Sequence, residues 1–285
     1  MATAGSRYSP PPPTRDNVRR SVIAGTWYPG DPGQLRAMID GFLNNVPAEP
    51  LDGKLLGLVA PHAGYVYSGQ VAAYAYAQLR GKGYSTVVVV SPVHRVYPGR
   101  FAVTDKLYYE TPLGLVPVDE ELLEVIDRQV GLSRVGHDME HSLEIQLPFL
   151  KCVLGDFALV PVMMGDQDWD SASELGEALA SAVDGNGVML VASTDLSHFH
   201  RYETALELDR KVLDRITAYD PEGLARTLAM HKAEACGGGP VVAVMVAARK
   251  LGANRAVLLK YMNSGDVTGD RSSVVGYGAA ALLCS

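Results

Sequence analysis

Residues 86–94 read Thr86-Val87-Val88-Val89-Val90-Ser91-Pro92-Val93-His94. The run is too short for a typical helix and rich in β-branched residues, which fit a sheet buried on both faces. It ends in a Ser-Pro break followed by a histidine. The same grammar recurs twice. Residues 55–60 (LLGLVA) lead into Pro61-His62-Ala63-Gly64, and residues 188–192 (VMLVA) lead into Ser193-Thr194-Asp195-Leu196-Ser197-His198.

Helical segments separate these runs. Helices are expected over 31–42, where Asp31 and Pro32 make a start signal, and over 70–79, 120–129, 140–150, 172–183, 202–217, 221–229 and 240–251. A further strand over 158–164 contains Pro161, which predicts a bulge. Strands over 256–263 and 273–283, joined by a Gly/Asp/Ser-rich turn, predict an antiparallel pair. The alternation predicts an α/β fold with a central, mostly parallel (mixed) sheet covered by helices on both faces.

Residues 1–20 contain Pro10 to Pro13 and read as a flexible Pro-rich arm, with order expected from Val22. Residues 21–285 show neither a repeat nor a linker, so one domain is expected. No run approaches the roughly 20 apolar residues that span a bilayer, and the first twenty residues lack an apolar signal-peptide core. A cytoplasmic location is the expectation. The formal net charge of −7 argues against a nucleic-acid surface, which needs a basic stripe. Three cysteines, Cys152, Cys236 and Cys284, do not make a secreted disulfide framework. A Cys152–Cys284 pair stays open.

Ligands of open α/β sheets bind beyond the carboxyl ends of the strands. One histidine in such a loop is usually a surface or hydrogen-bonding residue. His62, His94 and His198 at equivalent positions on separate strands point to a shared site. Cys236 lies in Ala235-Cys236-Gly237-Gly238-Gly239-Pro240, just before a helix that Pro240 starts. A thiol there is expected to favour the thiolate, both nucleophile and metal ligand. Asp195 and His198 read as an acid–base pair, the carboxylate fixing the imidazole tautomer. In Glu140-His141-Ser142-Leu143-Glu144 helical spacing puts His141 and Glu144 on one face, either beside the site or on an ion-paired solvent face. His137, His200 and His231 read as structural.

These motifs together resemble the Memo-like family, which is related in fold to the class III extradiol ring-cleavage dioxygenases. The resemblance runs through Ala24-Gly-Thr-Trp-Tyr-Pro, Pro61-His-Ala-Gly-Tyr, Ser91-Pro-Val-His, Glu140-His-Ser-Leu-Glu, Ser193-Thr-Asp-Leu-Ser-His, Cys236-Gly and Asp270-Arg-Ser-Ser-Val-Val-Gly-Tyr. It implies an extradiol-dioxygenase-like fold and a metal held by His62, His94 and Cys236, with Asp195 and His198 beside it. Cys236 stands where the dioxygenases carry a glutamate. A thiolate is softer than a carboxylate and favours iron or copper over magnesium or calcium.

Three functions follow as expectations. One is a non-heme iron(II) or copper redox enzyme on a small organic substrate that enters past Tyr65 and Tyr67. Another is a non-catalytic module binding a ligand or short peptide, since members of the family are regarded as signalling adaptors. The last is a metal-free hydrolase or transferase with Cys236 as nucleophile and a histidine base.

Overall fold

In the computed structural model, which describes residues 10–48, 51–183 and 187–285, the buried apolar runs form the centre of a mixed sheet. Lys54–Ala60, Val188–Ser193, Thr86–Pro92 and Ala158–Met164 lie side by side in that order, all parallel. Every residue from Val87 to Pro92 is buried, as the both-faces reading of the valine run requires. The long final strand, Val274–Cys284, pairs antiparallel with Lys54–Ala60 on one side and with Arg255–Asn263 on the other. Phe101–Thr104 adds to the far edge antiparallel to Met163–Met164. Helices flank the sheet. Gly238–Lys250 packs on three of the parallel strands and on Trp169–Ala182, while Tyr65–Tyr76 packs on the antiparallel tail strands and on Pro32–Asn44.

Side-chain caps start two of the flanking helices. Asp31 caps Pro32–Asn44 by accepting from Gln34 N at 2.8 Å, and Leu35, Ile39 and Leu43 recur at four-residue spacing on its buried face. Asp168 caps Trp169–Ala182 in the same manner.

Three expectations need correction. Pro161 makes no bulge: the register to Thr86–Pro92 is continuous through Val89–Pro161. The neighbour on its other side pairs only at Met163 and Met164, so Pro161 interrupts no ladder there. Residues 140–150 are not one helix. Glu140–Leu143 is coil, a single 3-10 turn covers Glu144–Gln146, and the helix is Leu147–Leu154.

The expected arm is packed at its distal end, although its first nine residues lie outside the described ones. Val18–Arg19 pairs with Tyr108–Tyr109, and Arg19 is buried between Asp138 and Glu144. The reason is Glu144. Fully buried, it accepts from Ser21 Oγ, Val22 N, Ile23 N and Tyr28 Oη as well as Arg19. A buried carboxylate needs such partners, and residues 19–28 supply them.

No helix among the described residues is long and apolar enough to cross a membrane. Cys152, Cys236 and Cys284 are all free thiols, which answers the open question of a Cys152–Cys284 bridge.

Candidate metal centre

The parallel strands end in register, Ala60 opposite Ser193 and Val90 opposite Ala192. His62, two residues beyond Ala60, and His94, four beyond Val90, therefore emerge at the same end of the sheet. Their ring centroids are 5.1 Å apart. Cys236 arrives from the other side, in the loop before Gly238–Lys250. Its Sγ lies 3.1 Å from His62 Nε2. Ligand-capable atoms of His62, His94 and Cys236 all lie within 4.8 Å of one another, so the three residues singled out in the sequence do meet.

The glycines explain how Cys236 gets there. A Cβ on Gly237 would sit 2.1 Å from Ser193 O, and one on Gly239 would strike Gln167. Only bare backbone allows this approach. The loop is then pinned by Gly237 N to Thr194 Oγ1 (3.0 Å), Gln167 Nε2 to Cys236 O (2.8 Å) and Asp195 N to Cys236 Sγ (3.2 Å).

Both imidazoles are held in one tautomer. Ser193 Oγ spends its proton on Ser142 O at 2.7 Å, so it accepts at its 2.9 Å contact with His62 Nδ1. That nitrogen carries the hydrogen, and Nε2, facing Cys236, keeps its lone pair. Glu140 does the same for His94. Its Oε1 lies 3.0 Å from His94 Nδ1 and its Oε2 accepts His94 N–H at 2.5 Å, leaving Nε2 of His94 free to donate electrons. Burial pushes the Glu140 carboxyl up, but the contacts from His141 and His94 outweigh it and hold it well below the usual carboxylate range. It is an anion.

Glu140 and His141 thus belong to the site, though not by the helical spacing that raised the question. The coil at 140–142 is spent on the strand ends, with Ser142 Oγ donating to Pro92 O (2.7 Å) and Ser142 O accepting from Ser193. Glu144, which the helical reading placed beside His141, faces away and anchors residues 19–28 instead. The His141 ring lies 4.3 Å from Trp27 and 4.7 Å from His94 by centroids. Its Nδ1 is buried without a hydrogen-bond partner, although Glu140 Oε1 is 3.0 Å away. His94, Glu140 and His141 form a second group of ligand-capable atoms.

Over these residues lies a cavity of about 620 Å³. His62, His94, His141, Asp195 and His198 form its floor, with Trp27, Tyr67, Phe199 and Tyr277 on its walls. Of the two tyrosines expected at its entrance, only Tyr67 is there. Tyr65 is buried at 2% exposure and donates to Ile145 O at 2.8 Å, its ring packed at a tilt against Tyr28 and Phe149. It serves the core.

Asp195 lies beside the cluster with a different partner from the one expected. Its Oδ1 accepts from His62 N at 2.8 Å, and its Oδ2 is 3.9 Å from His62 Nε2. Among the described residues no hydrogen bond joins it to His198. Burial raises its carboxyl to about 7. His198 sits on a short strand, His198–His200, against Val274–Val275, and burial lowers its pKa. His62 is lowered well below its ordinary value by burial and by His94 and His141. Cys236 is also at odds with its expected thiolate character: burial, then the neighbouring Asp195, pushes its thiol up. The helix begins at Gly238, too far along to prevail over desolvation.

Ser193, Trp27 and Gln146 were not foreseen as parts of the site. Gln146 Nε2 bridges Pro61 O and Ser193 Oγ, which locks the two strand ends together. Ser193 had a legible signal, a hydroxyl closing a fully apolar strand one residue before the Thr-Asp pair. Gln146 had none.

The sequence model of a family described as Memo-like protein matches residues 19–281. The chain is 41% identical over 272 residues to a MEMO1 family protein of Methanothermobacter thermautotrophicus, covering 91% of this chain and 98% of that one. A MEMO1 family protein of Methanopyrus kandleri is 42% identical over 277 residues, covering 92% and 97%. The crystal structure of uncharacterized protein JW3007 from Escherichia coli K12 superposes with a TM-score of 0.54 at 15% identity. It covers 80% of this chain and 99% of that one, a likeness of fold alone. The match over nearly the whole described chain, with two-fifths identity to such relatives, establishes that the protein belongs to the Memo-like family.

Proposed function

We propose that the protein holds one redox-active metal ion between His62 Nε2, His94 Nε2 and Cys236 Sγ, and acts on a small organic molecule bound in the cavity above. The observation that carries this reading is the double tautomer lock. Ser193 and Glu140 each accept from Nδ1, which leaves Nε2 of both imidazoles for a ligand beside the thiol. The donor set also fits a cation by charge. A buried thiol with a raised pKa loses its proton readily only when a positive ion replaces it. Two imidazoles and one thiolate favour iron(II), with copper as the alternative, over hard cations.

When bound, the ion supplies Lewis-acid polarisation and electron exchange. The remaining work falls to the chain. Trp27, Tyr67 and Tyr277 bound the cavity and exclude water from a flat substrate. His198, kept neutral near pH 7 by burial, is placed to take a proton from that substrate. His141 lines the same space, while Asp195 fixes the backbone of His62.

The test is metal analysis of protein prepared without oxygen and reconstituted with iron(II) or copper(I). One equivalent is expected, with a thiolate-to-metal charge-transfer band that disappears in Cys236→Ser. Absence of bound metal after reconstitution would sink the proposal. The 3.1 Å contact between Cys236 Sγ and His62 Nε2 favours one other reading, a thiol nucleophile with a histidine base. Selective alkylation of Cys236 that abolished a hydrolytic activity in metal-free protein would establish that reading instead.

A further inference from the structure

A second opening reaches the centre from the side of Cys236. A recess of about 320 Å³ is lined by Leu196, Leu228, Ala233 and Ala235 together with His198, His231, Glu234 and Cys236. The main cavity is lined by His62, His94 and Asp195, and Cys236 is not among the described residues that line it. His198 borders both spaces. The two approaches therefore meet the candidate centre on different faces, the imidazole face from the main cavity and the sulfur face from the recess.

The walls differ as well. Four of the recess residues are aliphatic, and Leu196 and Ala233 are buried at 1% and 3% exposure. The one carboxylate among its lining residues is already engaged, since both oxygens of Glu234 lie 2.9 Å from His200 Nε2. The carbonyl of Cys236 is taken by Gln167. A polar or charged organic molecule entering here would lose hydration and gain few partners. A small uncharged molecule would lose nothing.

We propose that this recess is the entry for a small neutral oxidant, dioxygen, to the sulfur face of the centre, while the organic substrate uses the larger cavity. The proposal rests on the metal-dependent redox reading given above. His198, as the shared wall, is then the one titratable side chain among the described residues that lines both spaces.

The route is tested by filling each space in turn. Leu228→Trp and, on another wall, Ala235→Leu narrow the recess. Val66→Trp narrows the main cavity, whose rim Val66 lines. The first probe is methyl methanethiosulfonate, a small neutral thiol reagent, on full-length protein dialysed against chelator. Modification of Cys236 is followed by peptide mass spectrometry, with Cys152 and Cys284 as internal references. Each recess variant should slow modification of Cys236 by about tenfold, because access limits thiol exchange, while Val66→Trp leaves it unchanged. The second probe is nitric oxide, a neutral diatomic, binding to iron(II)-loaded protein in stopped-flow absorbance. Its association rate should fall in the same two variants. Slowing by Val66→Trp alone, or equally by all three, would overturn the separate route whether or not metal binds. Protein that takes up no iron would remove the metal reading and dioxygen with it, and the thiol probe would still report which opening leads to Cys236. The two recess variants are judged only if their thermal midpoints stay near that of the parent, and either one suffices.

Discussion

Replacing Glu140 by glutamine changes one oxygen to an amide nitrogen, and the geometry specifies the consequence. The carboxylate accepts from His94 N at Oε2 (2.5 Å), and at Oε1 it meets His94 Nδ1 and His141 N, each at 3.0 Å. If the glutamine oxygen takes the Oε1 position, its NH₂ group opposes the His94 backbone N–H, donor against donor. If the amide turns over, NH₂ faces His94 Nδ1 and forces the hydrogen onto Nε2, which removes the lone pair. The first orientation keeps the acceptor on Nδ1 only at the cost of the backbone contact, and the second reverses the lock. Loss of a supporting partner of this kind typically costs about 10- to 100-fold in metal affinity, about 1.4–2.8 kcal/mol. Competitive titration against a chromogenic chelator measures the affinity. A long-range ¹H–¹⁵N correlation of metal-free protein reads the His94 tautomer directly. Glu140→Gln should show a mixed or Nε2-protonated ring, while the parent is Nδ1-protonated. A variant with unchanged tautomer and an affinity within about twofold of the parent would refute the reasoning.

Other perturbations separate structure from site. Arg19→Met strands Asp138 and Glu144 in the interior and should cost about 3–5 kcal/mol, read as a fall in urea midpoint with early proteolysis before Tyr28. Gly237→Ala forces a methyl group toward Ser193 O, so stability should drop by about 1–3 kcal/mol and metal uptake should fall with it; unchanged uptake would refute the close-approach argument. Tyr65→Phe removes only a bond to Ile145 O, about 1 kcal/mol of stability, and should leave ligand affinity alone, whereas Tyr67→Phe should do the reverse. Asp209, fully buried, is pushed above the ordinary aspartate range by burial despite bonds from Ser197 and Tyr261. Because the unfolded chain releases that proton first, stability should fall as pH rises from about 4 towards the raised folded value. Asp209→Asn should flatten that slope in pH-dependent urea titrations; an unaltered slope would count against it.

Reading the strands succeeded because burial on both faces leaves a mark in composition, and the residues after a buried strand are placed by the strand itself. That is why His62, His94 and His198 were visible as a group. Glu140 and His141 were expected on a helix because three- and four-residue spacing is satisfied equally by a helix and by a coil whose bonds go elsewhere. Only the tertiary partners Pro92, Ser193 and His94 decide, and they lie about fifty residues away in sequence. Tyr65 and Tyr67 were read alike because the helix was expected to start at Gln70. Started at Tyr65, it turns residues two apart to opposite sides, one into the core and one to the cavity. Cys236 shows a limit of another kind. A helix start and desolvation push a thiol in opposite directions, and sequence carries no measure of burial.

Four carboxylates of one short-chain chemistry make the same point about the centre itself. Glu144 accepts from the N-terminal segment and Asp209 from Ser197 and Tyr261, so both are consumed by the fold. Glu140 and Asp195 accept from the histidines, one at a ring nitrogen and both at backbone N–H groups. The chain thus places an anion, Glu140, behind the His94 ring and a hydroxyl, Ser193, behind that of His62, and buries a thiol against His62 with no cationic side chain among the described residues lining the cavity. Each choice raises the cost of the others unless positive charge is supplied. A metal ion between His62, His94 and Cys236 would relieve all of them at once, and the affinity lost in Glu140→Gln measures how much of that relief Glu140 provides.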